Sequence, residues 1–158
     1  MPRVSVLMTS YNPGAFVKPA IDSVLAQTFQ DFELILVEDG SHDGAKEIAR
    51  AYAAADTRFR LIDLPKNIGR TPALNLALRE AKGEYAAVLD ADDLAAPERF
   101  ALQVALLDAR PNVVVVSSHV RLIDKAGNVV GRICPPTDPS ATETRHLIHR
   151  VHGSPCER

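Results

Sequence analysis

Residues 85–93 read Tyr85-Ala86-Ala87-Val88-Leu89-Asp90-Ala91-Asp92-Asp93, an apolar run that ends abruptly in three carboxylates. An uninterrupted apolar run before an acidic exit describes a strand buried on both faces, as in a parallel sheet covered by helices. Carboxylates crowded at the end of such a strand repel one another, and the arrangement is most easily explained if a divalent cation joins them. A hard cation with oxygen ligands suggests in turn a phosphate-bearing substrate. An Asp-x-Asp pair alone also fits an ordinary surface turn or helix start, so the weight lies on its setting.

Outward from this stretch, short β-rich runs alternate with longer amphipathic segments from residue 4 to about residue 119. That alternation predicts a Rossmann-like α/β architecture, a mostly parallel sheet with crossover helices. Strands are expected at Val4 to Met8, Phe32 to Val37, Phe59 to Ile62, Tyr85 to Leu89 and Val113 to Ser118. Val17, Ile21, Val24 and Leu25, and again Leu74, Ala77, Leu78 and Ala81, repeat with helical spacing. A further helix carries Ile48, Ala49 and Tyr52, with Ser41 or Asp43 as its N-cap, and Pro97 opens a fourth with Phe100, Val104 and Leu107 inward.

The alternation stops after Ser118. Val120 to Ile123 and Val129 to Ile133 flank Asp124-Lys125-Ala126-Gly127-Asn128, which predicts a β-hairpin after residue 119. The Pro-rich stretch 135–139 then reads as a linker before a short helical segment from Ser140 to about Arg150. The expected organisation is a 1–119 α/β domain followed by a 120–158 region of different character.

At 158 residues and 46% hydrophobic content the chain can bury one core and has no room for two large domains. The formal charge of −2, with no Lys/Arg block, argues against a nucleic-acid partner. Cys134 and Cys156 are too few for a disulfide framework and lack metal-ligand spacing. No stretch approaches the roughly 20 apolar residues of a membrane span, and the start is too brief for a signal peptide. The expected location is cytoplasmic, with peripheral contact to a membrane left open. His146, His149 and His152 stand at three-residue intervals, which is not a zinc-ligand spacing, and a solvated or partly packed helix is the reading preferred.

Ligands of an open parallel sheet bind beyond the carboxyl ends of its strands. Strand one exits into Thr9-Ser10-Tyr11-Asn12-Pro13-Gly14, strand two into Glu38-Asp39-Gly40-Ser41, strand three approaches Asn67-Ile68-Gly69-Arg70, and strand four delivers Asp90, Ala91, Asp92 and Asp93. These residues suit a nucleoside diphosphate. Tyr11 can stack on a base, Asp39 can accept from a base or ribose donor, and Asp90 and Asp92 can hold metal and ribose. Arg70, near a helix start, can meet a phosphate oxygen, though a solvated surface arginine fits its position equally. Neither a P-loop nor a dinucleotide-binding glycine motif follows the first strand, so a metal is the expected neutraliser of the diphosphate. A phosphoacceptor receiver domain would need an isolated Asp after strand three and a Lys after strand five. Asp63-Leu64-Pro65 and Ser118-His119 stand there, with no such lysine.

Val4 to Asn12, Ser23 to Thr28, Val37 to Gly44, Asn67-Ile68-Gly69 with Ala73-Leu74-Asn75, and Leu89 to Asp93 followed by Pro97-Glu98-Arg99 together resemble, in order, the inverting nucleotide-sugar-dependent glycosyltransferases of family 2. The resemblance covers about residues 4 to 110 and implies the GT-A fold. It implies that Thr9, Tyr11 and Asp39 line the base and ribose pocket, that Asp90 lies near the ribose and phosphates, and that Asp92 ligates Mg2+ or Mn2+. Asn67, Gly69, Arg70 and Ala91 complete the expected substrate-binding set. A nucleoside-diphosphate sugar, foremost a UDP-sugar, is the donor it implies, and a saccharide or a lipid-linked molecule the acceptor.

Two departures stand out. Many members carry Ala-Arg-Asn where this chain has Ala73-Leu74-Asn75, so that arginine's phosphate contact is lost or passes to Arg70. The family's catalytic base has no counterpart here, since Asp138 sits in the Pro-rich stretch and Glu143 has no partner to tune it. The expectation is a nucleotide-sugar-binding domain over 1–119 and, over 120–158, the incomplete start of an acceptor-side region whose base lies C-terminal to this chain, the alternative being a truncated or non-catalytic nucleotide-binding module.

Overall fold

The computed structural model describes residues 1–134 and 148–150. Its strands are β1 (Val4–Ser10), β2 (Phe32–Glu38), β3 (Phe59–Asp63), β4 (Tyr85–Val88), β5 (Val115–Val116), β6 (Val120–Ile123), β7 (Val129–Ile133) and β8 (Ile148–Arg150). Its helices are α1 (Val17–Leu25), α2 (Ala45–Ala55), α3 (Arg70–Glu80) and α4 (Arg99–Ala109), and a 3-10 turn, Gly14–Phe16, leads into α1. The main sheet has the order β3-β2-β1-β4-β8-β5. β1 to β4 run parallel, and β8 is antiparallel to both β4 and β5.

The two faces of the sheet follow from strand alternation. On one face Val4, Val6, Met8, Leu34 and Leu36 pack with Val17, Ile21 and Val24 of α1, Ala49 of α2, and Phe100, Val104 and Leu107 of α4. On the other, Leu7, Ile35, Val37 and Ala86 meet α3 through Ala73 and Ala77, small residues that bring the helix close. β2 is buried at all seven positions, as a central strand covered on both faces should be.

Four expectations need correction. α2 takes Gly44 as its N-cap, in the left-handed region, while Asp43 reaches past it and accepts from the Ala45 N–H at 3.1 Å. α4 starts at Arg99, two residues after Pro97, whose carbonyl instead accepts from the backbone N–H and hydroxyl of Thr28. β5 is a two-residue strand rather than a six-residue one and does not pair with β4. The reason is the fourth correction: 148–150, expected to be helical, is a strand that fills the gap between β4 and β5. His149 lies on that strand, and Asp138, Glu143, His146, His152 and Cys156 lie outside the described residues. The hairpin is present as expected, a separate two-stranded sheet of β6 and β7.

Chain order places the site. From β1 the chain steps outward to β2 and β3, then returns to the other side of β1 for β4. Loops leaving β1 and β4 therefore diverge, opening a crevice at the carboxyl edge where the strand order reverses.

Candidate functional site

A cleft of about 690 Å³ opens at that edge, lined by Thr9, Ser10, Tyr11, Asn12, Pro13, Phe16, Asp39, Asn67, Gly69, Arg70, Asp90, Ala91 and Asp92. All nine residues singled out from the sequence are among them. Ser10, Asn12, Pro13 and Phe16 are additions. Two exposed aromatic rings, Tyr11 and Phe16, thus stand at one cleft, on the loop and the 3-10 turn that follow β1.

The loops after β1 and β2 are tied together by side chains bonding to backbone. Asn12, the one non-glycine residue with positive φ among those described, accepts from the His42 N–H at 2.9 Å, while its own N–H donates to Ser41 Oγ at 3.0 Å. Asp43 accepts from the Gly14 N–H at 2.6 Å. Glu38, fully buried at the end of β2, accepts from the N–H groups of Gly40 and Ser41, with Lys46 Nζ 3.8 Å away. These residues set the shape of the loops rather than their chemistry. The sequence signals were an acid closing an apolar strand and the Asn-Pro-Gly turn.

Asp39 is 2% exposed, and its two carboxylate oxygens accept from the Ile68 N–H at 2.7 Å and the Gly69 N–H at 3.0 Å. It anchors the 67–70 loop from about 30 residues away and fixes the position of Asn67, Gly69 and the start of α3. Gly40 beside it has φ +75°, and a Cβ there would lie 2.7 Å from Asn67 N and from Lys66 C. Only glycine lets these two loops approach so closely.

The acidic loop is compensated unequally. Oxygens of Asp90, Asp92 and Asp93 come within 4.8 Å of one another, a hard donor set that fits Mg2+ or Mn2+. Asp90 Oδ1 accepts from Arg70 Nη2 at 2.5 Å, in a pair half open to solvent. Behind the loop, Arg99 is buried and donates to the Val88 carbonyl at 3.1 Å and to Gln103 Oε1 at 3.2 Å. Burial pulls its guanidinium down to about 10, and the nearby Asp93 charge opposes that shift. Asp92 is exposed and makes no ion pair among the described residues.

The model of the family described as "Glycosyl transferase family 2" matches residues 5–152 of this chain. An uncharacterised glycosyltransferase of Methanocaldococcus jannaschii is 37% identical over 136 residues, which are 85% of this chain and 47% of the relative. Glycosyltransferase GlyG of Streptococcus pneumoniae is 30% identical over 125 residues, 79% of this chain and 42% of the relative. The chain spans about half the length of the curated relatives it matches. Among solved structures, the mannosyltransferase PcManGT of Pyrobaculum calidifontis, in complex with GDP-Man and Mn2+, superposes with a TM-score of 0.65 at 33% identity, over 73% of this chain and 35% of that one. S. aureus TarS 1-349 superposes with a TM-score of 0.74 at 24% identity, over 96% of this chain and 47% of that one, and shares the fold.

Proposed function

Because the chain belongs to glycosyl transferase family 2 and carries its GT-A fold, we propose that this cleft binds a nucleoside-diphosphate sugar together with a divalent ion and serves glycosyl transfer. The observation that carries the reading is the meeting of four loops at the β1/β4 switch point, with aromatic rings at one part of the cleft and three carboxylates at another. PcManGT, whose structure holds GDP-Man and Mn2+, lends support from a 33% identical relative.

In this reading Tyr11 stacks on the base and Thr9 lines the base and ribose pocket. Asp39 holds the 67–70 loop and keeps a lone pair on each oxygen for a donor on the base or ribose. Asp90 and Ala91 face the ribose and phosphates, Asn67 and Gly69 the same pocket, and Arg70 supplies a guanidinium for a phosphate oxygen. Asp92 holds Mg2+ or Mn2+ with Asp90 and Asp93 within reach, and the ion, when bound, offsets charge on the departing diphosphate. An acceptor hydroxyl, on a saccharide or a lipid-linked molecule, attacks the anomeric carbon as its bond to the diphosphate oxygen breaks on the opposite face, inverting that centre. Positioning by the cleft supplies much of the acceleration. The base that takes the acceptor proton is assigned to none of the cleft residues. A UDP-sugar is the first donor to try, a GDP-sugar the second, and the expected location is cytoplasmic.

The test is calorimetric titration of UDP and of GDP into the protein, with Mn2+ and with EDTA, repeated on Asp92→Ala. Binding that needs Mn2+ and disappears in the variant supports the reading. No heat with UDP, with GDP or, tried next, with TDP overturns it.

A further inference from the structure

The β6–β7 hairpin lies outside the donor cleft, and its surface has a pattern the cleft does not explain. The cross-strand register puts Arg121 opposite Arg132 and, past a register shift between Leu122 and Ile123, Ile123 opposite Val129. Like charges directly opposite one another destabilise a strand pair. Neither arginine makes an ion pair among the described residues. Lys125 adds a third cation at the turn, and the single acid of residues 120–133, Asp124, has its carboxylate taken up by the Ala126 and Asn128 N–H groups and the Asn128 amide. The hairpin is therefore cationic in a chain of net charge −2. Near the arginines, Ile123 is 45% and Val129 53% exposed. A two-stranded hairpin alone is marginal in water and gains from a surface that covers it.

We propose that this hairpin face docks on an anionic lipid bilayer surface. The chemistry has two halves that suit one another. Arg121 and Arg132 stand side by side, so one anionic headgroup between them removes their mutual repulsion. Nearer the turn, two residues past Arg121 on β6 and three past Arg132 on β7, where the register shifts, the paired Ile123 and Val129 present branched apolar side chains to the boundary between headgroups and acyl chains. The long arginine stems let the guanidinium groups stay at headgroup level while the apolar pair goes deeper. No helix among the described residues is long and apolar enough to cross a membrane. The inference does not depend on the donor reading, because none of these residues lines the cleft.

The test is vesicle flotation of the full chain with phosphatidylcholine alone and with roughly one third phosphatidylglycerol, where each basic residue at the surface contributes on the order of a five-fold change in partition. Binding is expected only with the anionic lipid and is expected to fall with added salt. Arg121→Gln with Arg132→Gln should weaken it about 30-fold, or about 2 kcal/mol at 1.4 kcal/mol per factor of ten. Arg79→Gln with Lys82→Gln makes the same change in net charge on exposed residues elsewhere and should leave most of it intact. Ile123→Ser with Val129→Ser should weaken binding at every salt concentration. Far-UV circular dichroism confirms that each variant folds. Absence of binding to the anionic vesicles, equal binding to the neutral ones, or equal losses in the two arginine and lysine pairs would each overturn the proposal.

Discussion

Replacing Asp39 with Asn tests whether this residue builds the cleft or only lines it. The change is close to isosteric, so packing is preserved. The carboxylate now accepts from both the Ile68 and Gly69 N–H groups, at 2.7 and 3.0 Å, in a site only 2% exposed. An amide has one acceptor oxygen and one NH2, so whichever way it turns, one backbone N–H faces another donor. One hydrogen bond to a charged acceptor is lost, a second is weakened, and a buried N–H goes unpaired, which together come to about 2–4 kcal/mol. With a urea slope of about 2 kcal/mol/M, the midpoint should fall by about 1–2 M. Nucleotide titration on the same sample should show binding reduced as well, because Gly69 and Arg70 belong to the released loop. A midpoint within about 0.2 M of the parent protein, with binding lost, would refute the anchor and leave Asp39 as a ligand contact alone.

Gly40→Ala should lower Tm by about 5–10 °C: the left-handed backbone disfavours Ala by about 1–2 kcal/mol, and its Cβ meets Lys66 and Asn67 backbone that must move. Arg70→Gln should shift two affinities in opposite directions, strengthening Mn2+ binding to the nucleotide-free protein by removing the competitor for Asp90 and weakening the nucleoside diphosphate. Stability should change by less than about 1 kcal/mol, since the pair is half open to solvent. Acid should destabilise the fold. Lys46 holds the Asp63 carboxyl below its ordinary value of 3.8, and Arg58 does the same for Asp56. Stability from these groups is present above 3.8 and is lost as pH falls through the lower folded values. Urea midpoints measured from pH 5 down to about pH 2 should fall accordingly, and Lys46→Met should flatten that dependence.

The four βα units were legible because each rests on local periodicity: helical stripes that bury Val17, Ile21 and Val24, and apolar runs such as 32–38 that fit burial on both faces. The acidic exit of β4 was legible for the same reason. β8 was not, because three residues show no period, and their strand state comes from pairing with Tyr85–Ala87 and Val115–Val116 far away in sequence. Its insertion also explains why β5 is short and stands apart from β4. Asp39 was legible as a cleft residue but not as an anchor, because that role depends on two N–H groups about 30 residues further on. Its neighbour Gly40 reads as half of an Asp-Gly turn, and the backbone that forbids a Cβ there comes from Lys66 and Asn67.

The unequal treatment of the three carboxylates accounts for how they remain together. Arg70 pairs with Asp90 from the cleft side, and Arg99 lies buried near Asp93 on the core side, gripping the Val88 carbonyl at the end of β4. Asp92 is left outward and uncompensated by any ion pair among the described residues, which is the position a cation ligand needs. Leu74 occupies the place where the family resemblance expects an arginine, and Arg70 stands one helical turn earlier on the same face of α3. Leu74 packs into the α3 side of the core, while the Arg70 guanidinium lies at the helix N-terminus, beside Asp90 and at the cleft. Under the proposed function, this one side chain neutralises Asp90 before the donor arrives and turns to a phosphate once Asp90 is engaged elsewhere. The opposite shifts expected of Arg70→Gln follow from that double duty, since a guanidinium serving only as a phosphate contact would leave the affinity for Mn2+ alone unchanged.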